Sequence, residues 1–269
     1  METTRVAICS HKGGVGKTTL ALNLGLALAQ LGHRTTVMEL DSQESLAASL
    51  LRPGRTMPGL HEVVTGSVTL GEALVATKVP GLSLLPAGHV DPLEAVGFQS
   101  LLAQPEGLGP VLEALKGERF VLMDCPSGVG GATLGALGVA THTLIPIQAE
   151  PLSLRSVQLV LETMAGVRDR RNPDLELLGL VLMMFDRDAD ASMEVVRAAW
   201  RDFDPEVLFE TVVPRSPVYL DASLHGVPVA FMAPGMHPEG RRFQMLAEEI
   251  LRRLAREEVG HAGPAQSLL

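Results

Sequence analysis

Cysteine is scarce in this chain: 269 residues carry two, Cys9 and Cys125. They stand in separate apolar runs, with no CxxC pair and no His/Cys cluster. That excludes a disulfide framework and a cysteine metal centre, and leaves two buried thiols that suit a reducing compartment. Positive charge is also short. Lys and Arg number 22 against 31 Asp and Glu, for a net charge of −9. Contact with nucleic acid therefore requires a local basic patch rather than the global field, and a purely electrostatic membrane binder is disfavoured. Long hydrophobic runs are absent. The longest candidates, such as Leu177–Phe185, are strand-sized and fall short of the roughly 18 residues a membrane span needs. The first strand begins within ten residues of Met1, which leaves no room for a signal peptide. There is no internal repeat and no low-complexity segment.

What is present is an ordinary globular composition, 46% hydrophobic and 20% charged. The length suits one large α/β domain or two small ones. Short apolar runs at Arg5–Ser10, Thr35–Leu40, Leu82–Leu85, Phe120–Met123, Thr143–Ile147, Leu177–Phe185 and Val207–Val213 read as buried strands. Helical spacing separates most of them, as in Lys17–Leu31 with Gly32 as its stop. Alternating strands and helices predict a doubly wound, mostly parallel sheet with helices on both faces. Arg52–Pro92, rich in Gly and Pro, reads as short helices and loops. Arg241–Val259 reads as a last helix with Phe243, Leu246, Ile250 and Leu254 on one face. The expected organisation is a single domain over residues 1–259 and a flexible tail over 260–269.

The sharpest motif is Lys12-Gly13-Gly14-Val15-Gly16-Lys17-Thr18-Thr19, set between a strand and a helix. Glycines let consecutive backbone N–H groups turn inward and cradle phosphate oxygens. Lys17 supplies a point charge to β- and γ-phosphates, and the Thr18 hydroxyl is a ligand for Mg²⁺. Lys12 stands where the usual phosphate-binding loop has its first glycine. Asp124, at the end of an apolar strand, is placed to fix Mg²⁺, usually through water. Asp41 follows the second strand.

These residues resemble the deviant Walker A ATPases, the ParA/MinD group, whose loop reads KGGVGKTT. The likeness extends over nearly the whole chain. Asp41 and Gln43 match the family's Asp-x-Asp-Pro-Gln, while Glu39 and Ser42 depart from it. Asp124-Cys125-Pro126 matches Asp-Cys-Pro-Pro up to Ser127. Leu144-Ile145-Pro146-Ile147-Gln148, with Glu150 and Leu152, resembles the family's strand and switch region. Val213-Pro214-Arg215 resembles its Ile-Pro-Arg, and Gly226-Val227-Pro228-Val229 its Gly-Lys-Pro-Ile. The resemblance implies ATP and Mg²⁺ as ligands and slow, dimer-dependent hydrolysis. It gives Lys12 a reach across a homodimer to the partner's nucleotide, where it acts like an arginine finger. It also gives Asp41 the attacking water, makes Thr18, Asp41 and Asp124 the metal set, and puts Pro214 and Arg215 beside the adenine.

For function, the ParA branch implies a cytoplasmic, nucleoid-associated partition ATPase. Its ATP-bound dimer holds double-stranded DNA without sequence preference, and a ParB-like partner stimulates hydrolysis. There is no N-terminal extension to carry a helix-turn-helix. The candidate DNA contacts are Arg215, then Arg187, then Arg241 and Arg242. Arg187 is offset by one from the family's basic position, where Asp188 stands, and Val218 replaces another. A cargo-positioning ATPase acting on a protein partner remains an alternative. So does a MinD-like membrane-cycling protein, although the last helix alternates Glu and Arg and the tail has no aromatic anchor. A nitrogenase-reductase-like redox protein would need cysteines after the Asp124 region that this chain does not have.

Overall fold

The computed structural model describes residues 2–42, 57–91, 93–150 and 153–261. In chain order the strands are β1 (Thr4–Ser10), β2 (Thr35–Glu39), β3 (Val75–Ala76), β4 (Leu82–Leu85), β5 (Phe120–Ser127), β6 (His142–Gln148) and β7 (Glu176–Met183). The helices among the described residues begin with α1 (Lys17–Gln30), α2 (Leu60–Val64), α3 (Leu70–Ala73), α4 (Ala95–Leu102) and α5 (Pro105–Ala114). They continue with α6 (Gly131–Val139), α7 (Ser153–Arg170), α8 (Asp190–Asp202), α9 (Val218–His225) and α10 (Pro238–His261).

The strands form one sheet in the order β3-β4-β2-β5-β1-β6-β7. Every pairing is parallel except that of β3 with β4. Apolar residues run almost unbroken along β1 because both faces are covered. Ala7 and Cys9 point into one core with Phe98, Leu112, Leu137 and Val160 from α4 to α7. Val6 and Ile8 point into the other with Leu20 and Leu24 of α1 and Leu246 and Ile250 of α10. Each such Leu or Ile, fully buried, contributes about 1.5–3 kcal/mol. The predicted stripe on the last helix thus does pack. The helix itself starts three residues earlier than Arg241 and runs through Val259 to His261.

From β1 the chain moves to β2 on one side, and from β5 it crosses to β6 on the other side of β1. The direction of winding reverses around β1, which opens a crevice at the carboxyl ends of the central strands.

Three expectations need correction. Val207–Val213 does not form a continuous strand; it runs beside β7 and the residues after it, with isolated parallel bridges at Leu180↔Leu208 and Phe185↔Pro214. Backbone groups of Val207, Phe209 and Val213 bond to Leu180, Leu182 and Phe185, and side chains of α10 hold other backbone groups of the segment. The Glu249 carboxylate accepts the N–H groups of Glu210 and Thr211, at 2.9 and 3.1 Å. The Arg253 guanidinium donates to the carbonyls of Glu206 and Leu208. The seventh strand is instead β3, within the Arg52–Pro92 region read as helix and loop, and its two residues are too few to show a period. Finally, Asp124 does not end its strand. β5 continues to Ser127, past a register shift between Ile8 and Ser10 on its β1 neighbour. Gln43 and Leu152 lie outside the described residues.

Candidate active site

The loop from Ser10 to Lys17 leaves β1 at the centre of the crevice and enters α1 directly. Gly14 and Gly16 hold φ of +72° and +91°, a left-handed geometry that a side chain would strain. Gly16 is the N-cap of α1 and brings no capping side chain, so the first-turn N–H groups remain available to an anion. The Ser10 hydroxyl donates to the Lys12 carbonyl at 2.7 Å and pins the loop's start.

Lys17 is only 7% exposed. Its ammonium donates to the Ser127 hydroxyl at 3.0 Å, and no carboxylate of the described residues pairs with it as an ion pair. Ser127, a departure from the family's proline, thus parks the lysine on a neutral oxygen across the loop. A buried cation held only by a hydroxyl is poised for a stronger anionic partner.

Asp124 sits between Ile8 of β1 and Glu39 of β2 and is 1% exposed. Burial pushes its carboxyl up to about 7, and the carboxylates of Glu39 and Asp41 push the same way, while Thr18 and Lys17 pull it down. Thr18 approaches it, yet neither oxygen of Asp124 meets a partner with full hydrogen-bond geometry. A buried carboxylate left so exposed to its neighbours' charge, beside a threonine hydroxyl, suits a hard divalent cation with oxygen ligands. Glu39 stands where the family pattern has an aspartate. Fully buried, it accepts the Ala87 N–H at 3.1 Å and braces the loop after β4. Both cysteines lie in this neighbourhood and are inert: burial pushes the Cys9 thiol up to about 12 and the Cys125 thiol well above its ordinary value.

Lys12 stands at the outer rim, 38% exposed. It is not without a partner in its own chain. Glu150, just beyond the end of β6, takes the Lys12 ammonium on one carboxylate oxygen at 2.9 Å and the Arg215 guanidinium on the other at 3.0 Å. Those two cations, Lys12 first, hold the Glu150 carboxyl below its usual range. Glu150 was not among the expected site residues. Its place just after a strand's carboxyl end, where ligands of parallel sheets gather, was the signal available.

Beside the loop lies an apolar slot of about 170 Å³, lined by Gly16, Met183, Met184, Pro214, Arg215 and Tyr219 among others. Met184 adopts φ +56°, the sole non-glycine residue to do so among those described. Such a conformation is uncommon and marks a constrained site. Tyr219 is fixed by a 3.3 Å hydrogen bond to Glu239 and an edge contact with Phe243. The structure thus brings Lys12, Gly13 to Thr19, Asp41, Asp124, Pro214 and Arg215 to one end of the sheet. Arg187 is exposed in the loop after β7, and the Arg215 N–H bonds the Phe185 carbonyl at 2.8 Å, so those two segments adjoin. Arg241 and Arg242 are exposed on the first turns of α10.

Comparison with known proteins agrees with this fold. The family described as AAA domain matches residues 3–177. The chromosome-partitioning ATPase Soj of Thermus thermophilus is 35% identical over 253 residues, which cover 93% of this chain and 96% of that protein. The chromosome partitioning protein ParA of Caulobacter vibrioides is 34% identical over 233 residues, or 83% and 85% of the two chains. Among solved structures, cobyrinic acid a,c-diamide synthase from Mycobacterium smegmatis, with bound ADP and magnesium, superposes with a TM-score of 0.77. It is 29% identical, with 95% and 96% of the two chains covered. MinD from Pyrococcus horikoshii, complexed with Mg-ADP, gives 0.71 at 27% identity, with 94% and 97% covered. With its lysine-led phosphate loop, its parallel sheet and these relatives, the chain belongs to the ParA/MinD family of P-loop ATPases.

Proposed function

We propose that this chain is a ParA-like partition ATPase in which Mg-ATP joins two copies into a DNA-binding dimer. The observation that carries the reading is Lys12. It is held at the open rim of the loop by a half-exposed ion pair, not folded over its own phosphate cradle. In this reading Lys17 holds the β- and γ-phosphates, Thr18 and Asp124 hold Mg²⁺ with Asp41 nearby, and Pro214 and Arg215 border the adenine in the apolar slot. Mg²⁺, when bound, neutralises charge on the phosphates. Asp41 orients the attacking water. Lys12 adds positive charge across the dimer to the partner's nucleotide.

Sedimentation with a non-hydrolysable ATP analogue and Mg²⁺ tests the central step. The expected result is a shift from one chain to two. A chain that stays monomeric with saturating nucleotide removes the reading.

The DNA surface rests on placement. Arg187 and Arg215 lie on adjoining segments near the apolar slot, whereas Arg241 and Arg242 stand on α10 within a turn of Gln244, which bonds Gln30 at the end of α1 away from the loop. Dimerisation would double whichever of the four face DNA. Arg215 is a poor probe because Glu150 holds it beside Lys12 and the nucleotide slot; its reversal would disturb dimerisation as well. Arg187→Glu is the cleaner variant. It is expected to weaken random-sequence duplex binding by the ATP-locked dimer uniformly across sequences and to reduce the log K against log salt slope by about 0.9 per lost phosphate contact. Filter binding over a salt series measures this. A locked dimer that ignores DNA even at low salt would favour the cargo-positioning alternative. No described helix is long and apolar enough to cross a membrane. A ParB-like stimulator is part of the same proposal, and its addition should raise turnover of the DNA-bound dimer.

A further inference from the structure

At the opposite end of the sheet, three ligand-bearing side chains converge from three separate elements. His142 opens β6, Glu176 opens β7, and the two residues are paired in register. Glu257 reaches them from α10. The His142 Nε2 lies 3.0 Å from a Glu257 oxygen and 3.9 Å from a Glu176 oxygen, and the three atoms all fall within 4.8 Å of one another.

Behind the ring, the Thr141 hydroxyl sits 2.8 Å from His142 Nδ1. That hydroxyl is itself fixed, because the Arg5 N–H donates to it and the Arg5 carbonyl lies 3.0 Å away. The imidazole is therefore oriented from its far nitrogen, with Nε2 aimed at the two carboxylates. Metal-ligating histidines are held in the same way, by a hydrogen bond on the nitrogen that does not bind the ion. Bonds of about 2.0–2.1 Å to a tetrahedral ion would set its ligand atoms about 3.3 Å apart, and the spacings here bracket that value. The three line a cavity of about 290 Å³, which gives an ion and its water a way in. Glu2 and Asp174 line the same wall.

We propose that His142, Glu176 and Glu257 form a binding site for a borderline divalent transition-metal ion, Zn²⁺ being the type, that clamps α10 to the start of β6 and β7. One imidazole with two carboxylates selects such ions over Mg²⁺, which takes oxygen ligands and retains water. β6 alone spans about 20 Å, so the site is remote from the phosphate loop and independent of ATP binding.

The test is calorimetric titration of Zn²⁺ into metal-free full-length chain, with excess Mg²⁺ present to occupy oxygen-only sites. The expected result is one Zn²⁺ per chain at low-micromolar affinity, weakened at least about tenfold by His142→Asn and by Glu257→Gln. Circular dichroism checks that each variant is folded. Should His142→Asn unfold, Glu257→Gln, on a half-exposed helix position, decides alone. No Zn²⁺ uptake by the wild type, or a folded variant that binds as tightly as the wild type, overturns the site.

Discussion

Lys17→Ala is expected to weaken ATP binding by at least about 100-fold without lowering the stability of the nucleotide-free chain. A hydrogen bond to a charged group is worth about 1.5–3 kcal/mol, and Lys17 is placed to make two or more of them to phosphates. Their joint loss of about 3–6 kcal/mol corresponds to at least two decades in Kd. The second half of the expectation comes from its surroundings. The Lys17 ammonium is nearly buried and rests on the neutral hydroxyl of Ser127 at 3.0 Å. Alanine removes an under-compensated buried charge, so the desolvation saved offsets the packing lost. Isothermal titration with ATP analogues reads the first effect, and the melting temperature without nucleotide reads the second. Asp41→Ala is the contrast in the same experiment. It should leave affinity near wild type and lower kcat, because a water-orienting carboxylate acts in the transition state. ATP binding by Lys17→Ala within tenfold of wild type would remove this lysine from the phosphate site.

The parts of the fold legible in the sequence are those with strong local signals. β1, β2, β4, β6 and β7 appear as apolar runs because both faces of a parallel strand are buried. α1 appears because Leu20, Leu24 and Leu28 repeat at helical spacing between a glycine loop and Gly32. What misled was context. Val207–Val213 has a strand's composition and bonds to Leu180, Leu182 and Phe185, but through isolated bridges, not a continuous ladder. Nothing local to the segment records that. β3 is two residues long and owes its existence to β4 alone. In the crevice, the placement of Lys12, Lys17 and Thr18 was legible because the spacing of a phosphate loop is dictated by backbone geometry; Asp124 lies there too, but inside β5 and not at its end. Glu39 and Ser127 read only as departures from a pattern. The structure gives each a partner, the Ala87 N–H and the Lys17 ammonium. Glu150 was hidden for another reason: its importance lies in joining Lys12 to Arg215, residues 138 and 65 positions away.

That junction sets two changes of opposite sign. Lys12→Ala is expected to leave ATP binding by the single chain within about threefold of wild type and to lower turnover by at least about 100-fold. In its own subunit Lys12 spends its charge on Glu150, and both partners are about 40% exposed. Such a pair is worth about 0.2–1 kcal/mol, so little is lost with it and little holds the lysine back. Across a dimer the same ammonium would face charge developing on transferring phosphate, where a finger of this kind supplies about 10³- to 10⁵-fold. Glu150→Gln removes the carboxylate that holds Lys12 and Arg215 in their own chain. Freed of that competition, Lys12 should engage the partner's nucleotide more readily, tightening the ATP-bound dimer by about 2- to 30-fold, the factor equivalent to the two ion pairs given up, one in each subunit. Sedimentation over a concentration series, with single-turnover hydrolysis on the same samples, separates the two variants. If Glu150→Gln instead loses turnover as deeply as Lys12→Ala, Glu150 is needed to present the lysine to the partner. The ion pair would then be part of the working dimer rather than a restraint that the dimer must break.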